Sequence, residues 1–191
     1  MKNILIINGH PVKNSYNAAL AKAYKDGADS SPHKVSSITI RELEFNPNLE
    51  FGYKKRLEME PDIKSSIEKI QNADHIAWVF PMWWAGMPAL LKGFIDRTFL
   101  PDIAFKSGNG KLPQKLLKGK TARIIMTSDT PRWYNYIFMK SPALNQLKKG
   151  TLQFSGISPV KITYISPIKN ASEQFLNKWL NKVTALGKSG S

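Results

Sequence analysis

Cysteine is absent from all 191 residues. Disulfides, zinc–thiolate centres, iron–sulfur clusters and a cysteine nucleophile are therefore excluded. Long apolar runs are missing too. Stretches such as Ile4–Ile7 are only a few residues long, whereas a membrane-spanning helix needs about 20. An integral membrane segment is not expected. The run Ile4–Ile7 is also too short for a signal-peptide core, and no small-residue cleavage site follows it, so a cytoplasmic location is the expectation. Acidic residues are scarce: 14 Asp and Glu against 28 Lys and Arg leave a formal charge of +14. Such an excess favours anionic partners. The cations are dispersed, however, with small clusters only at Lys54-Lys55-Arg56, Lys118/Lys120 and Lys148-Lys149. None is the long basic run of a nucleic-acid tail, so a nucleic-acid partner is not expected. No histidine follows His75. A hydrophobic fraction of 42% and a charged fraction of 22% are those of an ordinary globular chain. At about 150 residues per domain the length implies one domain. It is expected over residues 1–186, with 187–191 (Gly-Lys-Ser-Gly-Ser) as a flexible or engineered tail.

Strand and helix patterns alternate along the chain. Ile4–Ile7, Lys34–Ile40, Ile76–Phe80, Ala122–Thr127 and Val160–Ile165 read as strands. Helical spacing marks Ser15 to about Lys25, the stretch opened by Pro61, the stretch opened by Pro88, a weak stretch over Ser141–Phe154, and an amphipathic helix carrying Phe175, Leu176, Trp179, Leu180 and Val183. Residues 101–120 read as a long loop. This alternation predicts an α/β domain with a five-stranded parallel sheet and helices on both faces. The first, third and fourth strands are continuously apolar, as doubly covered strands are, while the second and fifth alternate like edges. The order 2-1-3-4-5 follows, a flavodoxin-like three-layer sandwich whose ligand crevice lies at the carboxyl ends of the first and third strands.

Two loops at that edge carry candidate chemistry. The first runs from Asn8 through Gly9, His10, Lys13 and Ser15 to Tyr16 and Asn17. A helix N-terminus with Ser and Asn donors suits a phosphate, and equally a Ser15 or Asn14 cap with His10 in the turn. It has neither the Walker nor the dinucleotide glycine spacing. The second reads Phe80-Pro81-Met82-Trp83-Trp84-Ala85-Gly86-Met87-Pro88. Adjacent indoles at a ligand-binding edge suit a planar aromatic ligand, or pack beneath the loop. Gly86 offers close backbone approach.

These motifs resemble the DT-diaphorase-like NAD(P)H:quinone oxidoreductases, the flavodoxin-fold group that includes modulator-of-drug-activity and potassium-efflux ancillary proteins. The segment from His10-Pro11 to Ser15-Tyr16-Asn17 resembles the family's flavin-phosphate loop. The long run from Phe80 to Arg97 resembles its isoalloxazine loop and the helix after it. The loop Phe105 to Lys120, with Leu116 or Leu117 before Gly119-Lys120, also resembles the family.

The resemblance implies a flavin with its phosphate end on His10, Ser15, Tyr16 and Asn17, and its ring on Pro81, Met82, Trp83, Trp84 and Gly86. Thr127, Ser128 and Asp129 would meet the flavin's far edge or the dihydronicotinamide. Well-known members have Thr-Thr-Gly-Gly there; this chain has Thr127-Ser128-Asp129-Thr130-Pro131. Pro131 supplies no amide, and Asp129 adds a carboxylate suited to capping a turn or rejecting an anion. Tyr134 is the candidate for the catalytic tyrosine of some members. The resemblance further implies hydride transfer from NAD(P)H to bound flavin, then two electrons to a quinone or other aromatic acceptor. The short segment 46–74 points to FMN, with FAD the alternative. A homodimer is implied, with Phe51, Tyr53 and the aromatics from Trp133 to Phe138 as candidate surface. The competing function is a non-catalytic regulator or ancillary subunit acting through the basic surface.

Overall fold

A computed structural model describes every residue except 53, 56 and 108–111. Tyr53 thus lies outside the described residues. The elements in chain order are β1 (Asn3–Asn8), α1 (Tyr16–Asp29), β2 (Lys34–Thr39), α2 (Pro61–Asn72), β3 (His75–Pro81), α3 (Ala89–Thr98), β4 (Phe105–Lys106), β5 (Gln114–Lys115), β6 (Thr121–Thr127), α4 (Arg132–Ile137), α5 (Pro142–Asn145), β7 (Val160–Ile165) and α6 (Glu173–Ser189). Five of the strands form one parallel sheet in the order β2-β1-β3-β6-β7. Counting only those strands, this is the expected 2-1-3-4-5.

The sheet explains the continuous apolar strands. In β1, Ile4 and Ile6 pack with α1 and α6 on one face. Leu5 and Ile7 pack with α2, α3 and α5 on the other. A strand covered on both sides has no polar phase.

Three stretches differ from the sequence expectation. The loop 101–120 contains a short antiparallel pair, Phe105–Lys106 against Gln114–Lys115, too brief to leave a periodic signal. The weak helical stretch 141–154 is a four-residue α5 followed by a π-helical segment over Gln146–Gln153. Its wider turn blurs the 3.6-residue period. Residues 187–189 are helical. Helix α6 continues to Ser189 and ends on Gly190 in the left-handed region, at φ 60°. The cause is a tight crossing with α1. A Cβ on Gly187 would sit 2.0 Å from the Tyr24 carbonyl oxygen, and one on Gly27 2.0 Å from that of Thr184. Only paired glycines let the two backbones touch. Lys2 Nζ then donates to the Gly190 carbonyl at 2.7 Å.

Candidate functional site

The carboxyl ends of β1, β3 and β6 open onto one crevice, and each contributes a loop. At the end of β1 the Asn8 side chain accepts from the His10 amide at 3.1 Å. His10 Nδ1 in turn accepts from the Val12 amide at 3.0 Å. That bond leaves the proton on Nε2. Burial holds the His10 pKa below its usual 6.5, so the ring is neutral at pH 7. It stands edge-on to Trp83, with centroids 5.5 Å apart, and so joins the first loop to the second.

Helix α1 begins here. Ser15 is its N-cap, with Oγ accepting from the Ala18 amide at 3.1 Å. Of the two uses open to Ser15, the structure displays the cap. Tyr16 differs from expectation. Its hydroxyl donates to the Leu176 carbonyl at 2.8 Å, and burial pushes its pKa up to about 12. The side chain secures α1 to α6, and only its backbone remains at the helix start. Asn17 is buried, and its Oδ1 accepts from Thr127 Oγ1 at 3.0 Å. Its Nδ2 is buried with no hydrogen-bond partner. A buried donor left unpaired costs about 1–3 kcal/mol.

At the end of β3, Pro81 lies in register with Thr127, and the Met82 amide donates to the Thr127 carbonyl at 2.8 Å. Trp83 and Gly86 then exchange both backbone hydrogen bonds, at 3.0 and 2.8 Å. The two central residues of this tight turn are Trp84 and Ala85, both left-handed, at φ 48° and 59°. Such turns normally use Asn-Gly. Holding two side-chain-bearing residues there costs on the order of 1–3 kcal/mol each, and strain of this kind clusters at ligand clamps. Trp84 is wholly exposed, at 102% of its reference area, so the indoles do not pack beneath the loop. Gly86 is not the residue the turn strains. Its φ is not left-handed, and a Cβ there would meet Trp83 O at an ordinary 3.5 Å.

At the end of β6 the Ser128 amide continues the ladder to Ile165 O at 3.0 Å, and its hydroxyl accepts from the Thr130 amide at 2.9 Å. Asp129 Oδ1 accepts from the amides of Ile168 and Lys169. It caps the turn after β7. Of the two uses open to this carboxylate, turn capping is the observed one. Tyr134 stands on α4, stacked on Phe138 at 5.2 Å and edge-on to Trp133. Among the described residues its ring contacts are with Trp133 and Phe138, not with a crevice residue.

The structure therefore brings together His10, Ser15, Asn17, Pro81, Met82, Trp83, Thr127 and Ser128, with Trp84 and Gly86 on the same turn. It turns the side chains of Tyr16, Asp129 and Tyr134 to other partners. Two contributors lie outside the sequence expectation: Asn8, which shapes the His10 turn, and Ala85, the second strained residue. The Asn8-Gly9 pair was a readable turn signal; Trp84-Ala85 carried none. Helix-start amides and the orphaned Asn17 amide are donors of the kind that suit an anion. The exposed Trp84 indole, on the loop after β3, offers an apolar face of the kind that suits a flat ring.

The family model for the flavodoxin-like fold matches residues 2–186. A Haemophilus influenzae protein named as an uncharacterized NAD(P)H oxidoreductase is 31% identical over 173 residues, covering 87% of this chain and 84% of that protein. A human ribosyldihydronicotinamide dehydrogenase (quinone) is 26% identical over 216 residues, covering 98% and 93%. The crystal structure of the Smu.1420 protein of Streptococcus mutans superimposes with a TM-score of 0.84 at 32% identity, covering 98% of this chain and 99% of that one.

Proposed function

Because the chain belongs to the flavodoxin-fold family of NAD(P)H:quinone oxidoreductase-like proteins, we propose that it is a flavin-dependent NAD(P)H oxidoreductase whose acceptor is a quinone or similar flat aromatic. The observation that carries this reading is the buried, unpartnered Nδ2 of Asn17. It sits in the first turn of α1 and is tied through Oδ1 to Thr127 at the end of β6. A donor held so rigidly, with nothing to donate to, matches the oxygens of a flavin's phosphate end. The crevice thus fits the group that the relatives' named activity calls for.

When bound, the flavin supplies the chemistry, accepting a hydride and returning two electrons. The chain's own residues bind and orient. The first amides of α1, with Asn17 Nδ2, hold the phosphate end. Ser15 keeps that helix start formed. The backbone from Pro81 to Trp83 lines the ring. His10 stays neutral, with Nε2–H available as a donor, and its edge-on contact with Trp83 holds the two loops at a fixed separation. Trp84 faces solvent as a wall on which nicotinamide and acceptor stack in turn. Thr127 and Ser128 border the ring's far edge. The segment between β2 and β3 is short for an adenine platform, so the cofactor in this reading is FMN.

No helix of the described residues is long and apolar enough to cross a membrane. The proposed setting is cytoplasmic, and the proposed assembly is a homodimer through the exposed aromatics Trp133, Tyr134 and Phe138. Steady-state kinetics of the FMN-loaded protein with NADPH and menadione test the function. The expected pattern is parallel reciprocal plots, as one site serves both substrates in turn. Intersecting plots, or no turnover, would overturn it.

A further inference from the structure

A second cavity lies away from the crevice, at the β7 edge of the sheet. It has a volume of about 670 Å³ and is roofed by α4, α5 and the start of the π-helical segment. That is the size of pockets that enclose small organic ligands. Its floor is apolar and aromatic, from Ile162 and Tyr164 on β7 and from Leu144. Ile137 and Tyr136 stand exposed at its wall. Its rim carries Arg132, Lys140, Lys148 and Lys149 and no acidic side chain. None of these four cations forms an ion pair among the described residues.

Two further observations single out this cleft. Asn135 lines it, is buried, and has an Oδ1 with no hydrogen-bond partner. An orphaned buried acceptor calls for a donor that the protein does not provide. The chain also turns from α4 into α5 through Lys140 and Ser141, both left-handed, at φ 55° and 50°. Strained non-glycine pairs of this kind occur twice in the described chain: once at Trp84-Ala85 in the crevice, and once here.

We propose that this cleft is a binding site for an aromatic anion carrying a hydrogen-bond donor. The flat body lies on Ile162 and Tyr164. The carboxylate, sulfonate or phosphate faces Arg132, Lys140, Lys148 and Lys149. The donor reaches Asn135 Oδ1. The floor is tied to the crevice, because Tyr164 donates its hydroxyl to the Thr130 carbonyl at 2.7 Å, within the loop that follows β6. The assignment stands on this cleft alone and does not depend on the flavin reading.

The test uses the full flavin-free chain and titrates an anilinonaphthalene sulfonate by fluorescence, with W84G run alongside so that any signal from the crevice is recognised by its loss in that variant. This probe carries a flat body, an anion and an N–H donor. The paired variant K148E/K149E is expected to weaken binding by at least about tenfold, a loss of about 1.4 kcal/mol. I137E, at an exposed position, is expected to weaken it as well. K178E/K182E on α6, across the sheet and with the same charge change, should stay within about twofold, since surface charge alone acts weakly. Equal losses in both paired variants would reduce the effect to bulk charge and overturn the proposal. So would unchanged binding in K148E/K149E, or an absence of probe binding to the unmodified protein. A sedimentation run on the same samples closes the remaining route: if K148E/K149E dissociates an oligomer as it loses the probe, the cleft is a seam between copies and the proposal fails. R132Q, a milder change, replaces K148E/K149E if that variant does not fold.

Discussion

Replacing Asn17 by Ala should separate flavin binding from folding, because the two depend on different halves of one amide. In the folded protein Oδ1 accepts a single bond from Thr127, while Nδ2 is buried without a partner. Losing the Oδ1 bond costs about 1 kcal/mol, and the Thr127 hydroxyl can rotate to recover part of it. Removing an unpaired buried donor returns about 1–3 kcal/mol. The terms oppose each other, so the flavin-free variant should unfold in urea within about 1 kcal/mol of the parent. Binding has no such compensation. A hydrogen bond to a charged oxygen is worth about 1.5–3 kcal/mol, which is roughly a 10- to 150-fold loss of FMN affinity. The assay is quenching of FMN fluorescence on titration with flavin-free protein, paired with urea melts. Ser15→Ala should show the reverse balance. It removes the α1 cap, costs about 1 kcal/mol of stability, and weakens FMN less than Asn17→Ala. An Asn17→Ala protein that keeps the parent's FMN affinity would refute the placement of the phosphate end.

Other expectations follow from the same geometry. Trp84→Gly removes a side chain that buries nothing and frees a left-handed residue. Flavin-free stability should rise by about 0.5–1 kcal/mol in a urea melt, while the KM for nicotinamide and acceptor rises in steady-state kinetics. Gly187→Ala forces a Cβ to 2.0 Å from the Tyr24 carbonyl oxygen. Overpacking of about 3 kcal/mol against a helix-propensity gain of about 1 predicts a net loss near 2 kcal/mol, or roughly 4–8 °C in a thermal melt. An unshifted melt would contradict the close α1–α6 crossing. His75 is pushed down to about 4, first by burial and then by the charges of Lys2, Arg123, Lys161 and His33. Its folded pKa lies below the unfolded value of 6.5, so the unfolded chain binds the extra proton between those limits. Stability is then fully present above pH 6.5 and falls by about 3 kcal/mol as the pH drops through 4. In a urea-midpoint series His75→Gln should flatten that slope; an equal slope would show that other groups set it.

Much of the architecture could be read from local pattern. The run Ile4–Ile7 announces a strand covered on both faces, and it sits between β2 and β3. The adjacent indoles of Trp83 and Trp84 stand on the loop at the carboxyl end of β3, where the alternation of strands and helices had put it. Long-range relations were not legible. Asn17 and Thr127 are 110 residues apart, and they meet only because the order β1-β3-β6 brings a helix start beside a strand end. Tyr16 and Asp129 were placed by position in a motif, yet their side chains answer to α6 and to the turn after β7. The Gly27–Gly187 crossing joins two ends of the chain, and no window of sequence contains both. Asn135 gave no signal, since a buried amide without a partner is visible only after packing.

The central claim, a flavin reduced by a nicotinamide in this crevice, is tested most directly by one anaerobic absorbance titration. Protein reconstituted with FMN and freed of excess should show bands near about 370 and 450 nm, and the second should bleach on stoichiometric NADPH. Retained bands that NADPH leaves unchanged, or a protein that returns from reconstitution colourless, would contradict the account.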